Sequence, residues 1–375
     1  MSSRKRFSLR VLLVFLLVLL FLAGATNTLL QHPARSPVNC YVPAVHGTEE
    51  QGPKKQTSVG KALSRGIVHG TSSLEMVSMV GDPEQQHGGR PSLYVGEFQQ
   101  SSKSLVAIPV GIKNKAAVDK LVSKFPADRF TLMVFHYDGA GEEQWDDLEW
   151  SRSAVHVSAR GQTKWWFAKR FLHPDIVAKY DYVFLWDEDV EVDAFDPVRY
   201  LDIVNREGLE VSQTALDRRS EIHHGITARA LLRPGVQGGG DVHRRFCTAS
   251  ALGGGGCDDI SSGPPCAGWV EMMVPVFSRA AWRCSWGMVQ NDLVHAWGLD
   301  YKLGYCAQGD RTLKVGVVDS EYVLHRGVPT LGGTEGNVAA FRSAVRRRSH
   351  AEMQIFDRRW KEAAANDVSW TDPYQ

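Results

Sequence analysis

The sequence predicts an α/β domain with a Rossmann-like sheet that carries helices on both faces. From residue 104 onwards, apolar strand-like segments alternate with amphipathic helical segments across short connections. This order is typical of parallel strands joined by crossover helices. One segment, Tyr182–Trp186, is a continuous apolar and aromatic run, as buried strands of such sheets usually are. The chain of 375 residues is long enough for one large domain of this kind.

The first half of the domain has the more regular pattern. Strands are predicted over 105–110, 130–137, 155–157 and 182–186. Helices are predicted over 116–125 and 163–179, and Pro174 breaks or restarts the second of them because proline cannot donate a backbone hydrogen bond. The sequence has no Gly-x-Gly-x-x-Gly or Walker motif, which argues against NAD enzymes and P-loop kinases.

The second half is less regular. Strands are predicted over 209–216, 269–278, 315–318 and 322–324. Helices are predicted over 282–297, 301–307 and 341–365. Between residues 234 and 266 glycines are too dense for a packed element, so this segment is interpreted either as a mobile lid or as a surface insertion. The arginines at 346, 347 and 348 are interpreted as a solvated helix face rather than a partner site.

The N-terminal segment predicts a membrane anchor. Basic residues at positions 4, 5, 6 and 10 precede an apolar run over 11–25, and positive charge before such a run keeps the amino end in the cytosol. The run reaches the roughly 20 residues of a spanning helix when it is extended from Leu9 to Leu30. A cleaved signal peptide is the alternative, because Ala23-Gly24-Ala25 resembles a cleavage site.

Both interpretations place the remaining chain in the secretory pathway, and we expect a single-pass type II protein. The predicted segments are a cytosolic tail (1–10), a signal anchor (11–30), a flexible stem (31–100), a catalytic domain (101–335) and a C-terminal helical extension (336–375). The stem is rich in Gly, Pro, Ser and Gln and has little periodicity. The formal net charge of +1 gives no electrostatic case for a nucleic-acid partner.

The cysteines fit an oxidising compartment. The chain has six of them and no Cys-x-x-Cys pair, so a structural zinc site is not expected. Cys257 with Cys266, and Cys284 with Cys306, are plausible disulfides, although spacing alone leaves the connectivity open.

The strand over 182–186 ends in three successive carboxylates, Asp187, Glu188 and Asp189. Carboxylates this close repel one another unless a cation lies between them, and Mg²⁺ and Mn²⁺ prefer oxygen ligands. Ligands of open α/β sheets bind at the carboxyl ends of the strands, where this cluster is expected. The alternative is a solvated turn after an ordinary core strand.

Further residues downstream could complete a site. Trp269 and Glu271 open a predicted strand, and His325 follows the strand over 322–324. Asp300 begins a predicted helix, with Asp292 two turns earlier, and Gly298 is expected to let the backbone approach a ligand. Structural alternatives remain for each position: Asp300 as a helix cap, His325 as a polar strand end, and Trp269 as a core residue.

In combination, these residues resemble the GT-A type of glycosyltransferase. The resemblance implies a GT-A-like mixed sheet, with Asp187 and Asp189 binding Mn²⁺ or Mg²⁺ and His325 completing the metal shell. It implies a nucleotide-sugar donor held near Trp269 and Glu271, and a glycan or other hydroxyl acceptor facing Trp297-Gly298-Leu299-Asp300. Asp300 is then the first candidate for the catalytic carboxylate and Asp292 the second. A type II anchor with a polar stem is the usual organisation of Golgi transferases.

Over 104–333 the chain is also similar to a plant family of proteins, domain of unknown function 707, labelled lysine ketoglutarate reductase trans-splicing related. The matching segments are 184–189, 268–273, 290–293 and 316–322. The resemblance implies a GT-A relationship but no established reaction, so a catalytically inactive lumenal binding or scaffold protein remains an alternative. An RNA-associated regulator finds no support, since the sequence has no basic stripe with interleaved aromatic residues.

Overall fold

The computed structural model describes residues 103–230, 241–245, 257, 261–325, 327 and 338–374. The predicted anchor, the stem and most of the glycine-rich segment lie outside these residues. Within the described part, no helix is both long and apolar enough to cross a membrane. The chain divides into two units, Met1–Gly47 with Cys247–Asp259, and Thr48–Phe246 with Ile260–Gln375. Only Cys257 of the first unit is described, so the fold reported below is that of the second.

The strands of this unit are β1 (Ser104–Val110), β2 (Phe130–His136), β3 (Val155–Ser158), β4 (Tyr182–Leu185), β5 (Val190–Glu191), β6 (Val211–Leu216), β7 (Val242–His243), β8 (Pro275–Ser278) and β9 (Val315–His325). The α-helices are α1 (Lys115–Val122), α2 (Lys164–Phe171), α3 (Pro174–Val177), α4 (Pro197–Arg206), α5 (Arg279–Met288), α6 (Asp300–Leu303), α7 (Arg311–Lys314) and α8 (Val338–Asn366). Short 3₁₀ segments connect several of them.

The strands form one mixed sheet in the order β3-β2-β1-β4-β8-β6-β9-β5, and β7 pairs with β9. The first four strands pair in parallel, as predicted for the first half. β8 is antiparallel to both of its neighbours, β4 and β6. The carboxyl end of β4 therefore lies beside the start of β8, and the segment before β8 reaches the same edge of the sheet.

The sheet is covered on both faces. Every residue of β1 is buried, and Leu105 and Ala107 pack in one hydrophobic cluster while Val106 and Ile108 pack in the other. Alternate residues of a strand point to opposite faces, so β1 has no solvated face. This explains the uninterrupted apolar composition of the central strands, and it confirms the predicted α/β architecture with a mixed sheet.

Pro174 separates two helices, as predicted. α2 ends at Phe171, and Pro174 occupies the first turn of α3, where its missing N–H has no partner to lose. At the other end of α2, the Thr163 side chain caps the helix by accepting a hydrogen bond from the N–H of Trp166. This cap fixes the first turn of α2, which begins at Lys164.

The second half departs from the predicted elements in three places. The helix predicted over 282–297 ends at Met288, and the following loop contains Ala296 and Gly298 with φ values of 58° and 92°, which an α-helix does not accept. The strand predicted over 269–278 begins only at Pro275. The two strands predicted over 315–318 and 322–324 are one strand, β9, whose pairing with β6 shifts register after Thr214.

A disulfide joins Cys284 of α5 to Cys306, as predicted. Cys257 and Cys266 are also disulfide-bonded, and their pairing with each other stays a prediction. The bond from Cys306 holds the 3₁₀ segment after α6 against α5.

Candidate functional site

A cavity of about 780 Å³ opens at the edge where β1, β2 and β4 end. Pro109 at the end of β1, Tyr137 after β2 and Asp187 after β4 line it. The cavity is also lined by Asp189, Trp269, Glu271, Asp300 and His325, which the sequence had predicted as site residues. Ligands of open α/β sheets bind at this kind of edge, so the cavity is the candidate functional site.

Glu188 is the structural support of the cavity floor. It is 1% exposed and accepts hydrogen bonds from the Gly111 N–H, the Asn114 Nδ2 amide and the Tyr137 hydroxyl. Burial raises the pKa of Glu188 to about 7, although these hydrogen bonds oppose the rise. A Cβ at position 111 would lie 2.5 Å from the Tyr137 hydroxyl oxygen. The middle carboxylate of the acidic cluster thus ties the loop after β1 to the ends of β2 and β4.

Lys164 compensates the charge of Asp187. Its Nζ lies 2.8 Å from Asp187 Oδ1 and donates to the carbonyl oxygens of Met272 and Met273 at 2.5 and 3.2 Å. Burial raises the pKa of Asp187, and the ammonium of Lys164 opposes this rise. Sequence reasoning missed Lys164. Its only signal was a cation in the first turn of a helix, where the macrodipole disfavours positive charge.

Replacing Lys164 with Met is expected to destabilise the domain, because the carboxylate of Asp187 loses its cation. Breaking a buried pair on one side costs about 3–5 kcal/mol. The Asp187 side chain is 35% exposed, so solvent screening lowers our expectation to about 2 kcal/mol. Urea unfolding measures this loss. The double variant Lys164→Met/Asp187→Asn removes the lone charge and should recover part of the stability. An unchanged midpoint in the single variant would contradict the assignment.

Asp189 and His325 meet at the rim of the cavity. β5 pairs antiparallel with β9, so Val190 lies opposite His325, and Asp189 Oδ2 lies 3.1 Å from His325 Nε2. Burial disfavours the charged imidazole, but the hydrogen bond to Asp189 and the negative charges of Asp189, Asp187 and Glu271 together outweigh it and raise the pKa of His325. The Nδ1 atom of His325 is buried and has no hydrogen-bond partner in the described part of the chain. The sheet thus brings together residues that are 136 positions apart.

The carboxylate of Asp189 and the deprotonated imidazole of His325 are groups that can bind a divalent cation. No group of three or more His, Cys, Asp or Glu side chains among the described residues is arranged to hold a metal on its own. Mg²⁺, however, is usually bound through one or two carboxylates together with substrate phosphates, rather than by an all-protein cage. Asp187 is less available as a ligand, because Lys164 already pairs with one of its oxygens.

Glu271 and Trp269 line the cavity from the segment before β8. The N–H of Glu271 donates to Gln213 Oε1 at 2.5 Å, and its Oε2 atom is buried without a partner among the described residues. Burial, and then the nearby charges of Asp300 and Asp187, raise the pKa of Glu271 to about 7. The Trp269 ring is 1% exposed and lies 4.5 Å from the ring of His224. Trp269 is therefore a packed residue that also forms part of the cavity wall.

The buried carboxyl group of Glu271 makes stability depend on pH. Its folded pKa is above its ordinary value, so the neutral form is favoured, and the contribution present below pH 4.5 is lost as pH rises through about 7. A rise from 4.5 to about 7 corresponds to about 3 kcal/mol at 1.36 kcal/mol per pKa unit. Glu271→Gln is expected to gain stability over the wild type by up to this amount between pH 4 and pH 8.

Urea unfolding at a series of pH values checks this expectation, with the exposed Glu149→Gln as the matched control. A stability difference for Glu271→Gln that stays constant across the series would show that burial does not penalise its charge.

Asp300 and Asp292 occupy different environments. Asp300 is the first residue of α6 and its Oδ1 accepts the N–H of Tyr301 at 3.1 Å. It lines the cavity, and burial raises its pKa to about 6. Asp292 does not line the cavity. Its oxygens pair with both terminal nitrogens of Arg359 at 2.8 and 2.7 Å, and its side chain is 60% exposed. The geometry favours Asp300 over Asp292 as a reactive carboxylate.

Helix α8 forms one wall of the cavity. Arg346, Ser349, His350 and Met353 line it, so the predicted C-terminal extension contributes to the site. Gly298 was expected to let the backbone approach a ligand; it lines the cavity, and a Cβ there would lie 3.1 Å from Met353 Cγ. Its positive φ and missing side chain therefore allow the loop to pack against α8. Sequence reasoning missed this wall because the arginines at 346–348 looked like an ordinary solvated face.

Fold and site together define a mixed α/β protein with an acidic, partly aromatic cavity at the carboxyl ends of its strands. The chain belongs to the family described as "Protein of unknown function (DUF707)", whose model matches residues 54–366. No curated protein matches the sequence significantly.

Several solved structures of glycosyltransferases are similar at low sequence identity. Staphylococcus aureus TarS 1-349 in complex with UDP has 11% identity and a TM-score of 0.37, over 72% of each chain. The glycosyltransferase GlyE of Streptococcus pneumoniae TIGR4 has 10% identity and a TM-score of 0.33, over 72% of this chain and 66% of that one. The mannosyltransferase Ktr4p of Saccharomyces cerevisiae has 10% identity and a TM-score of 0.24, over 44% and 55%. Because these TM-scores are all below 0.5, function has to be inferred from the cavity itself.

Proposed function

We propose that this protein is a metal-dependent GT-A-type glycosyltransferase that uses a nucleotide-sugar donor. The proposal rests on one observation: a candidate cation-binding pair and two carboxyl groups that could act as a base line the same cavity. Asp189 and His325 lie 3.1 Å apart at the rim, and the buried carboxyl groups of Glu271 and Asp300 line the same space. Asp189 and His325 could bind a cation together with a diphosphate. Glu271 and Asp300 provide a carboxylate that could accept the proton of an acceptor hydroxyl.

The donor diphosphate binds at the Asp187–Asp189 side of the cavity. Asp189 and His325 would hold Mn²⁺ or Mg²⁺, with Asp187 beside them. When bound, the ion neutralises the charge that grows on the departing diphosphate. Lys164 supplies a fixed positive charge at the same edge and holds Asp187 in place. Glu188 positions the loop after β1 beside the ends of β2 and β4.

The acceptor hydroxyl reacts beside Asp300. The acceptor oxygen forms a bond to the anomeric carbon of the donor sugar. The bond from that carbon to the phosphate oxygen breaks, and its electron pair stays on the nucleoside diphosphate. The hydroxyl proton passes to the carboxylate of Asp300. A base with a pKa of about 6 is largely ionised at neutral pH and still accepts a proton readily. Tyr301, the next residue, lines the same cavity and packs edge-to-face on the buried Trp269 ring.

The proposed location is the Golgi lumen. It rests on the basic N-terminal residues followed by an apolar segment over 11–30, which predict a type II anchor. The net charge of +1 supports partners other than nucleic acid.

A donor screen tests the proposal. The full-length protein is incubated with a panel of nucleotide sugars, Mn²⁺ and a mixture of glycan acceptors, and free nucleoside diphosphate is measured. We expect release with one donor, loss of release with EDTA, and recovery when Mn²⁺ is returned. Tight binding of a nucleoside diphosphate without release from any donor would favour an inactive binding protein. The absence of both binding and release would reject the proposal.

A further inference from the structure

The wall that α8 contributes to the cavity has no role in the steps described above. Together with Trp297 of the facing loop, we call it the α8 wall and define it by Trp297, Arg346, His350 and Met353, all of which line the cavity. The rings of Trp297 and His350 lie 4.9 Å apart in an edge-to-face arrangement. It therefore presents an aromatic surface and a guanidinium group to the same space.

The α8 wall is held in a fixed position. Glu352, 5% exposed, accepts a hydrogen bond from the His295 N–H at 2.8 Å and contacts His295 Nδ1 at 3.0 Å. One turn further, Phe356 is buried in the hydrophobic core, and Arg359 pairs with Asp292 through two hydrogen bonds. A preformed surface of this kind does not need to be ordered by a ligand, which favours binding.

Arg346 differs from the two arginines that follow it. Arg347 donates to Ser343 Oγ, and Arg348 donates to Glu352 Oε1, both at 2.9 Å. Within the described part of the chain, Arg346 has neither an ion pair nor a hydrogen bond, and it alone of the three lines the cavity. A guanidinium group binds carboxylates and similar planar or tetrahedral oxyanions through two parallel hydrogen bonds. The α8 wall thus contains a cation that has no partner among the described residues.

The position of this cation suits the acceptor rather than the donor. Trp297 is three residues from Asp300, so their Cα atoms are at most about 11 Å apart. A sugar ring on Trp297 is then within reach of the proposed base. Asp300, Glu271 and Asp187 also line the cavity, and these acidic side chains would repel an anionic group on the acceptor. Arg346 gives such a group one favourable place.

We propose that the α8 wall is the acceptor subsite and that it selects a saccharide carrying an anionic group, either a carboxylate or a sulfate. The apolar face of a sugar ring packs on Trp297, and the anionic group pairs with Arg346. This inference rests on the proposed glycosyltransferase function, because it names the acceptor class of the same cavity.

Calorimetric titration of the full-length protein tests the subsite. The probes are an oligosaccharide that contains glucuronate, its neutral methyl ester, and a sulfated neutral oligosaccharide of the same length. We expect the acidic probes to bind roughly 10-fold more tightly than the ester, as a charged hydrogen-bonded pair provides. The difference between glucuronate and sulfate identifies the anionic group. Equal affinity for the acid and its ester, or no binding of any probe, would overturn the proposal.

Arg346→Gln and Arg347→Gln are the matched variants. Arg346→Gln should lower the affinity for the acidic probes to that of the ester and leave the ester unchanged, whereas Arg347→Gln should change neither. Equal effects of the two substitutions would also overturn the proposal. Binding of UDP with Mn²⁺ is measured in parallel and should be the same in both variants. If the wild-type protein binds the acidic probes more tightly than the ester but releases no nucleoside diphosphate in the donor screen, the transferase function is rejected and the subsite is not. If it transfers sugar but binds the acid and the ester equally, only the subsite is rejected.

Discussion

Replacing Asp300 with Asn is expected to lower kcat/KM by about 100- to 10,000-fold, the usual contribution of a general base. The amide keeps the shape and the hydrogen bond from the Tyr301 N–H but cannot take a proton. Binding of the nucleoside diphosphate should remain unchanged, because we place the diphosphate at Asp189 and His325 rather than at Asp300. Steady-state kinetics with the donor found in the screen, together with calorimetry of the diphosphate, separate the two effects.

The pH dependence of kcat/KM provides a second test of Asp300 as the base. Burial raises the pKa of Asp300 to about 6, and only the deprotonated form acts as a base. The kcat/KM of the wild type should therefore increase as pH rises through about 6, and this step should be absent in Asp300→Asn. Asp292→Asn is the control, since Asp292 pairs with Arg359 outside the cavity. A large loss in Asp292→Asn with little loss in Asp300→Asn would reverse the assignment of the base.

Replacing Asp189 with Ala is expected to weaken Mn²⁺-dependent binding of a nucleoside diphosphate by roughly 100-fold or more. The variant lacks the carboxylate nearest to His325, and Mn²⁺ and Mg²⁺ depend on such oxygen ligands. The domain should remain folded, because Glu188 and the strand β4 hold this edge of the sheet independently. Calorimetry with UDP in the presence and absence of Mn²⁺ measures the effect, and circular dichroism checks the fold.

Asp193→Ala is the matched control for this experiment. Asp193 also follows β4 and β5, but its side chain is 68% exposed and pairs with Lys120. The Asp193→Ala variant should bind the diphosphate with the same affinity as the wild type. If Asp189→Ala binds the diphosphate normally and still responds to Mn²⁺, the cation is not held at the Asp189–His325 pair.

The regular half of the fold could be predicted because its signals are local. The strand β1 and nearly all of β4 are buried on both faces, so their apolar runs are continuous and easy to recognise. Pro174 marks a helix boundary through its own covalent structure. The end of α5 was missed, because the residues after Met288 keep helical composition while Ala296 and Gly298 take positive φ values. Packing against α8 stabilises that loop, and local sequence does not show such packing.

In the candidate site, too, some features follow from local sequence and others from packing between distant residues. Residue types and their order were enough to place carboxylates at the end of a buried strand, at Asp187–Asp189, and motif resemblance added Asp300 and His325. The folded structure was needed to show which of these groups meet. β9 returns beside β5 and brings His325 to Asp189, and α2 directs Lys164 to Asp187. The folded structure also places Glu188 in the floor and Arg346 in a wall of the cavity. These contacts join residues far apart in the chain, and their energies depend on burial and distance, which residue type and spacing do not specify.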